Sequence, residues 1–126
     1  MIRDWEIIRA ILIKLESSST PNARLSMNQI EGHDPQTVAY HMRLLKDAGC
    51  IEASIRDSST GDNLIIAASA KTLTTRGHDL LDALRNKHFW NKIKEVFREK
   101  SMDMTIEGIL EVAKSLAKVA ATTLSS

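Results

Sequence analysis

A single cysteine, Cys50, stands in the whole sequence, so no internal disulfide can brace it, and a secreted cross-linked scaffold is excluded. Aromatic residues make up only 4%, and five glycines and two prolines leave little punctuation for the many tight turns of an all-β domain. Fully apolar runs never exceed five residues, far short of the roughly 20 that a membrane-spanning helix needs. The opening Met1-Ile2-Arg3-Asp4-Trp5-Glu6 puts acids where a signal peptide requires a basic start and an unbroken apolar stretch. The expectation is a cytoplasmic protein with no membrane partner.

Charge of one sign is missing too, since 17 Lys and Arg face 16 Asp and Glu, a net +1 over 126 residues. That is not the global signature of a nucleic-acid binder, so the distribution matters more than the sum. Residues 1–33 are neutral, 34–70 sum to −2, 71–100 to +4 and 101–126 to −1. Whatever basic surface exists lies in the third stretch.

What is present is an ordinary 43% of hydrophobic residues, mostly Ile, Leu, Val, Ala and Met, enough for one helical core of single-domain size. Trp5, Ile8, Leu12 and Leu15, with Ile7 and Ile11 beside them, form one stripe of an amphipathic helix that Asp4 can cap and Ser17 to Asn22 end. Leu25 to Glu31 fits either a short strand or a single helical turn. Asp34-Pro35 is a strong helix start; Val38, Met42 and Leu45 follow on one edge, and Gly49 supplies a left-handed cap. Then the period changes. Ile51, Ala53 and Ile55 alternate with polar residues, Asp57 to Asn63 is turn chemistry, and Leu64 to Ala67 resumes an apolar run, which predicts a β-hairpin. Thr74 or Thr75 caps a helix through Leu80, Leu81 and Leu84 that breaks or bends at Asn86-Lys87; Phe89 to Phe97 continue on another, and Thr105 caps a last helix.

The order helix, short element, helix, hairpin, helix is that of a winged helix. The stretch Val38-Ala39-Tyr40-His41-Met42-Arg43-Leu44-Leu45-Lys46-Asp47-Ala48-Gly49-Cys50-Ile51 resembles the passage from recognition helix to first wing strand in bacterial winged-helix regulators. Leu73-Thr74-Thr75-Arg76-Gly77-His78 resembles the Leu-Thr-x-x-Gly that leaves their second wing strand. Over about residues 2–120 the chain is also similar to an uncharacterised winged-helix family carried by bacteria, phages and prophages, which implies a mobile-element context. The expected fold is therefore mainly α with a small β-hairpin wing: a winged helix-turn-helix domain at 1–86 plus two C-terminal helices at 87–126.

With Val38, Met42 and Leu45 turned inward, Gln36, Tyr40, Arg43 and Asp47 turn outward. In a winged helix that face enters the major groove. There Gln36 suits adenine, Arg43 guanine or phosphate, Thr37 a thymine methyl or phosphate, and Tyr40 a phosphate; Lys46, Arg56 and Lys71 are candidate flanking phosphate contacts. Against DNA stands the tip of the hairpin, which carries Asp57 and Asp62 with no Lys or Arg between them and would repel a minor groove. Two functions are consistent with these residues: a transcriptional regulator bound to double-stranded DNA, or a winged-helix interaction module or adaptor for a protein partner.

Other residues carry less. His41 sits at the edge of the core stripe as a hydrogen-bonded structural histidine, and Cys50 reads as a small buried hydrophobe. His33, His78 and His88 form no zinc pattern with Cys50, no glycine-rich phosphate loop exists and no nucleophile sits in a recognisable motif. Neither metal, cofactor nor catalytic residue is expected. Phe89 and Trp90, on a helix with Ile93 and Phe97, are best accounted for by core packing. Ile109, Val112, Ala113, Leu116, Val119 and Ala120 give the last helix a broad apolar surface. It either folds back on its own chain or meets a second copy as a homodimer.

Overall fold

The computed structural model describes residues 2–18, 20 and 23–125, with backbone alone at 121–125. In chain order the elements are α1 (Trp5–Glu16), β1 (Leu25–Ser26), α2 (Pro35–Asp47), β2 (Ile51–Asp57), β3 (Ile65–Leu73), α3 (Thr75–Arg85), α4 (Lys87–Glu99) and α5 (Ile106–Ser125). Among the described residues the fold is thus mixed α and β: five helices and one antiparallel sheet of order β1-β3-β2. The ambiguous element after α1 is a strand, and it adds a third member to the expected hairpin. Its Leu25 and Ser26 pair with Ala70 and Ser69, and turns rather than a helix follow before α2. Ser17 caps the end of α1; Pro21 and Asn22, expected to help stop that helix, lie outside the described residues.

Two compact units divide the chain, 1–78 and 79–126, and the boundary falls inside α3. In the first unit the apolar stripe foreseen for α1 is buried through Ile7, Ile8, Ile11, Leu12 and Leu15. Val38, Ala39, His41, Met42 and Leu45 of α2 are buried as well, and α1 and α2 pack on the sheet. The Asp4 carboxylate accepts the Glu6 N–H at α1, and that of Asp34 accepts the Thr37 N–H at α2, each satisfying a donor the first turn leaves open.

Helix α2 stops where the sequence says it should. Gly49 takes φ +77°, the Cys50 N–H donates to Leu45 O at 2.8 Å, and the Gly49 N–H to Lys46 O at 3.0 Å, the paired bonds of a Schellman cap. The remaining carbonyls of that turn are taken by the β3–α3 junction. Cys50 O accepts the Thr74 N–H at 3.0 Å, Gly49 O accepts the Thr74 hydroxyl, and Ala48 O accepts Arg76 Nε–H at 3.1 Å. The same Thr74 hydroxyl accepts the Gly77 N–H at 3.1 Å, so Thr74, not Thr75, caps α3.

Strand β3 departs from strict alternation, and two bulges explain how. Glu52 pairs with Thr72 and Ala53 with Ala70, which leaves Lys71 over; Arg56 pairs with Ala67 and Asp57 with Ile65, which leaves Ile66 over. Each extra residue puts two neighbours outward in a row and restores the inward phase, so Ile65, Ala68, Ala70 and Leu73 are all buried. The cost is that Ile66 is 54% exposed.

In the second unit Leu80, Leu81, Leu84, Ile93, Phe97, Ile106 and Ile109 are buried. Asn86 is the single residue between α3 and α4, and its side chain accepts the Phe89 N–H as the cap of α4. Phe89 and Trp90 are half-buried rather than core, with Lys94 Nζ over the Trp90 ring at 5.9 Å. Thr105 caps α5 through the Gly108 N–H at 2.9 Å. Beyond Ile109 the stripe of α5 opens: Leu110, Val112, Ala113 and Leu116 are half-buried and Val119 is exposed.

Candidate functional site

Helix α2 lies against the hairpin, and two side chains reach across from it. The Gln36 amide N–H donates to Ile65 O at 2.7 Å while its carbonyl accepts the Ile65 N–H at 3.0 Å, so one side chain completes the backbone pairing at the start of β3. At the other strand, Arg43 Nη2 donates to the Asp57 carboxylate at 2.5 Å. Gln36, Ala39 and Arg43 follow one another at helical spacing and turn this side of α2 toward the hairpin.

That corrects the expectation for Gln36. Both ends of its amide are used inside the fold, because a backbone donor and acceptor meet it where β3 begins, so it is not presented for adenine. Thr37 and Tyr40 are half-buried, with the Thr37 hydroxyl near the Asp34 carboxylate and the Tyr40 ring edge-on to His41. Lys46 is exposed on the last turn of α2. Arg56 lies apart from them, lining with Ser26, Ser54 and Ser69 a shallow groove of about 400 Å³ on the open face of the sheet. Lys71 is exposed at its bulge. The structure therefore carries Thr37, Tyr40, Arg43 and Lys46 on α2, and Arg56 and Lys71 on the sheet.

The two hairpin acids have occupations of their own. Asp57 is paired with Arg43. Asp62 accepts the Leu64 N–H at 3.0 Å and the Thr60 hydroxyl at 2.8 Å, and these bonds, the backbone one foremost, hold its carboxyl below the usual 3.8. A depressed carboxyl stabilises the turn above its unfolded value and ceases to do so as pH falls through the folded one. An NMR titration of the Leu64 amide is expected to show a midpoint below 3.8 that Asp62→Asn abolishes; a midpoint at or above that value contradicts the assigned role.

His41 is fully buried. Its Nε2 lies 2.8 Å from the Asp4 nitrogen, which can only donate, so Nε2 accepts and the ring proton resides on Nδ1, 2.7 Å from Thr37 O. The imidazole is thereby a neutral bridge that seats the cap of α1 on α2. Cys50 is fully buried at the end of the same helix. Among the described residues no cluster of His, Cys, Asp or Glu could hold a metal ion, and no helix is long and apolar enough to cross a membrane.

Sequence reasoning did not find Asp57 as the partner of Arg43. The two are 14 residues apart across the end of a helix and a strand, and no local period links such positions. Leu44, half-buried on the outer side of α2 near Tyr40, was also missed.

An uncharacterized protein of Haemophilus influenzae is 42% identical to this chain over 116 residues, which cover 92% of the chain and 95% of the relative. No solved structure matches. The family model described as "Hypothetical protein (DUF2513)" matches residues 2–103, and the chain belongs to that family.

Proposed function

We propose that this protein is a winged-helix DNA-binding regulator, of the kind mobile elements and prophages carry, that reads duplex DNA with α2 and flanks it with the hairpin as a wing. The observation that supports this most is the clamp of Gln36 on Ile65. It makes helix and wing one preassembled surface, with Thr37, Tyr40, Arg43 and Lys46 on the helix beside it. Preassembly matters because a surface ordered before binding avoids the entropy of ordering on contact. The acidic tip counts less against DNA than composition suggests, since Asp57 is already paired with a cation and Asp62 serves its own turn. Lys46, Arg56 and Lys71 are exposed cations suited to phosphates.

A homodimer through α5 belongs to the same proposal. Its half-buried stripe of Val112, Ala113 and Leu116, running on to exposed Val119, offers small and medium apolar side chains to a second copy. The alternative, an adaptor that docks a protein on α2, draws support from the internal engagement of Gln36 and Arg43 and from half-exposed Leu44. Salt separates the two.

Binding to random duplex DNA, followed by fluorescence anisotropy, is expected to weaken steeply from 50 to 200 mM salt, by about 0.9 in the log–log slope for each phosphate neutralised. Lys46→Ala is expected to reduce that slope by about one. Absence of binding at the lowest salt, or a slope unchanged by Lys46→Ala, contradicts DNA recognition through α2. Light scattering of the same samples is expected to give twice the chain mass.

A further inference from the structure

On the proposed surface the charge of Arg43 is already met from within. Its Nη2 donates to Asp57, yet both partners stay accessible, Arg43 at 38% and Asp57 at 59%. An ion pair so exposed contributes little to stability. Nor does the hairpin depend on it for position, since two hydrogen bonds from Gln36 already seat the other strand at Ile65. What the pair does control is the guanidinium. A carboxylate at that place lowers the positive potential of the helix face and competes with any incoming phosphate or base edge for Arg43.

We infer that Asp57 is an affinity-setting residue: a carboxylate on the wing that competes with DNA for Arg43, so that nucleic acid binds by displacing it. This rests on the DNA-binding proposal and deepens it by naming an internal competitor. The carboxylate also raises the demand on the ligand. Only an anion placed to meet the guanidinium better than Asp57 does is engaged by Arg43, which favours a properly seated duplex over loose electrostatic attachment.

The test is duplex DNA affinity of the full chain at low salt for Asp57→Asn, Arg43→Ala, the double variant and Glu52→Gln. Glu52 is an exposed acid on the same strand that does not pair with Arg43, so it controls for net charge alone. Asp57→Asn is expected to tighten binding about two- to fivefold, matching the release of one exposed pair. In the Arg43→Ala background the same change is expected to gain no more than the net-charge control Glu52→Gln, and Glu52→Gln to give clearly less gain than Asp57→Asn does in the parent. The inference is overturned if Asp57→Asn weakens or leaves unchanged the binding of a protein that does bind, if the full gain persists without Arg43, or if Glu52→Gln matches it. Failure of all forms to bind, Asp57→Asn included, overturns the DNA proposal itself and this inference with it. Thermal melts within a few degrees of one another show that the variants remain folded, and Asp57→Ser serves as a second neutral replacement.

Discussion

Gly77→Ala is expected to destabilise the first unit severely. A Cβ at this position would lie 2.0 Å from the Cys50 carbonyl oxygen and 3.0 Å from its carbon, with Leu73 Cδ2 at 3.3 Å. The oxygen is backbone and cannot swing aside as a side-chain tip would. It is also held, because it accepts the Thr74 N–H from the turn that leads into α3. Relief requires α3 to draw away, which breaks that bond, the Thr74 hydroxyl contact to Gly49 O and the Arg76 contact to Ala48 O together. Each bond is worth about 1 kcal/mol and a buried carbonyl left without a donor costs more. The sum is about 3–5 kcal/mol, against a total of about 5–15 for a domain of this size. Urea unfolding followed by circular dichroism checks this; a midpoint within a few tenths molar of the parent would show that the close approach is not needed.

Substitution of His41 comes next in size. The ring bridges Asp4 N–H and Thr37 O from a fully buried position. His41→Leu fills a similar space but leaves the Asp4 N–H without its acceptor at the point where α1 begins, a loss of about 1–3 kcal/mol. His41→Ala adds a cavity between α1 and α2 and is expected to cost about 3–5 kcal/mol. Equilibrium unfolding of both variants tests the bridge, and amide exchange of the first turn of α1 localises it. If His41→Leu is as stable as the parent, the imidazole fills space and nothing more.

These two positions also mark what a sequence can and cannot disclose. The periodic residues were legible: the stripe of α1, the Val38-Met42-Leu45 edge of α2, the alternation of Ile51, Ala53 and Ile55, and the caps Asp4, Asp34, Gly49 and Thr105. Each is a local rule acting within one turn or one strand. His41 was legible as a bonded core histidine from its place on the helix wheel, but Asp4 as its partner was not, because that contact spans 37 residues. Leu25-Ser26 became a strand through pairing with β3, which two residues of local propensity cannot announce. The bulges at Ile66 and Lys71 disguised β3 by breaking its period. At the candidate site, helical spacing placed Gln36, Tyr40, Arg43 and Asp47 on one side of α2, away from the Val38-Met42-Leu45 edge. The diversion of Gln36 to Ile65 and the pairing of Arg43 with Asp57 were hidden, since both depend on where the hairpin comes to rest.

Everything proposed about function turns on whether α2 and its wing meet DNA. The most direct measurement is a backbone NMR titration of the full chain with a short duplex at low salt, following every amide at once. Perturbations are expected to concentrate on Thr37, Tyr40, Arg43 and Lys46 and on the hairpin from Asp57 to Leu64, and to reverse as salt is raised. Spectra that do not change at low salt, or changes confined to α4 and α5, would contradict the assignment of α2 as the surface that reads DNA.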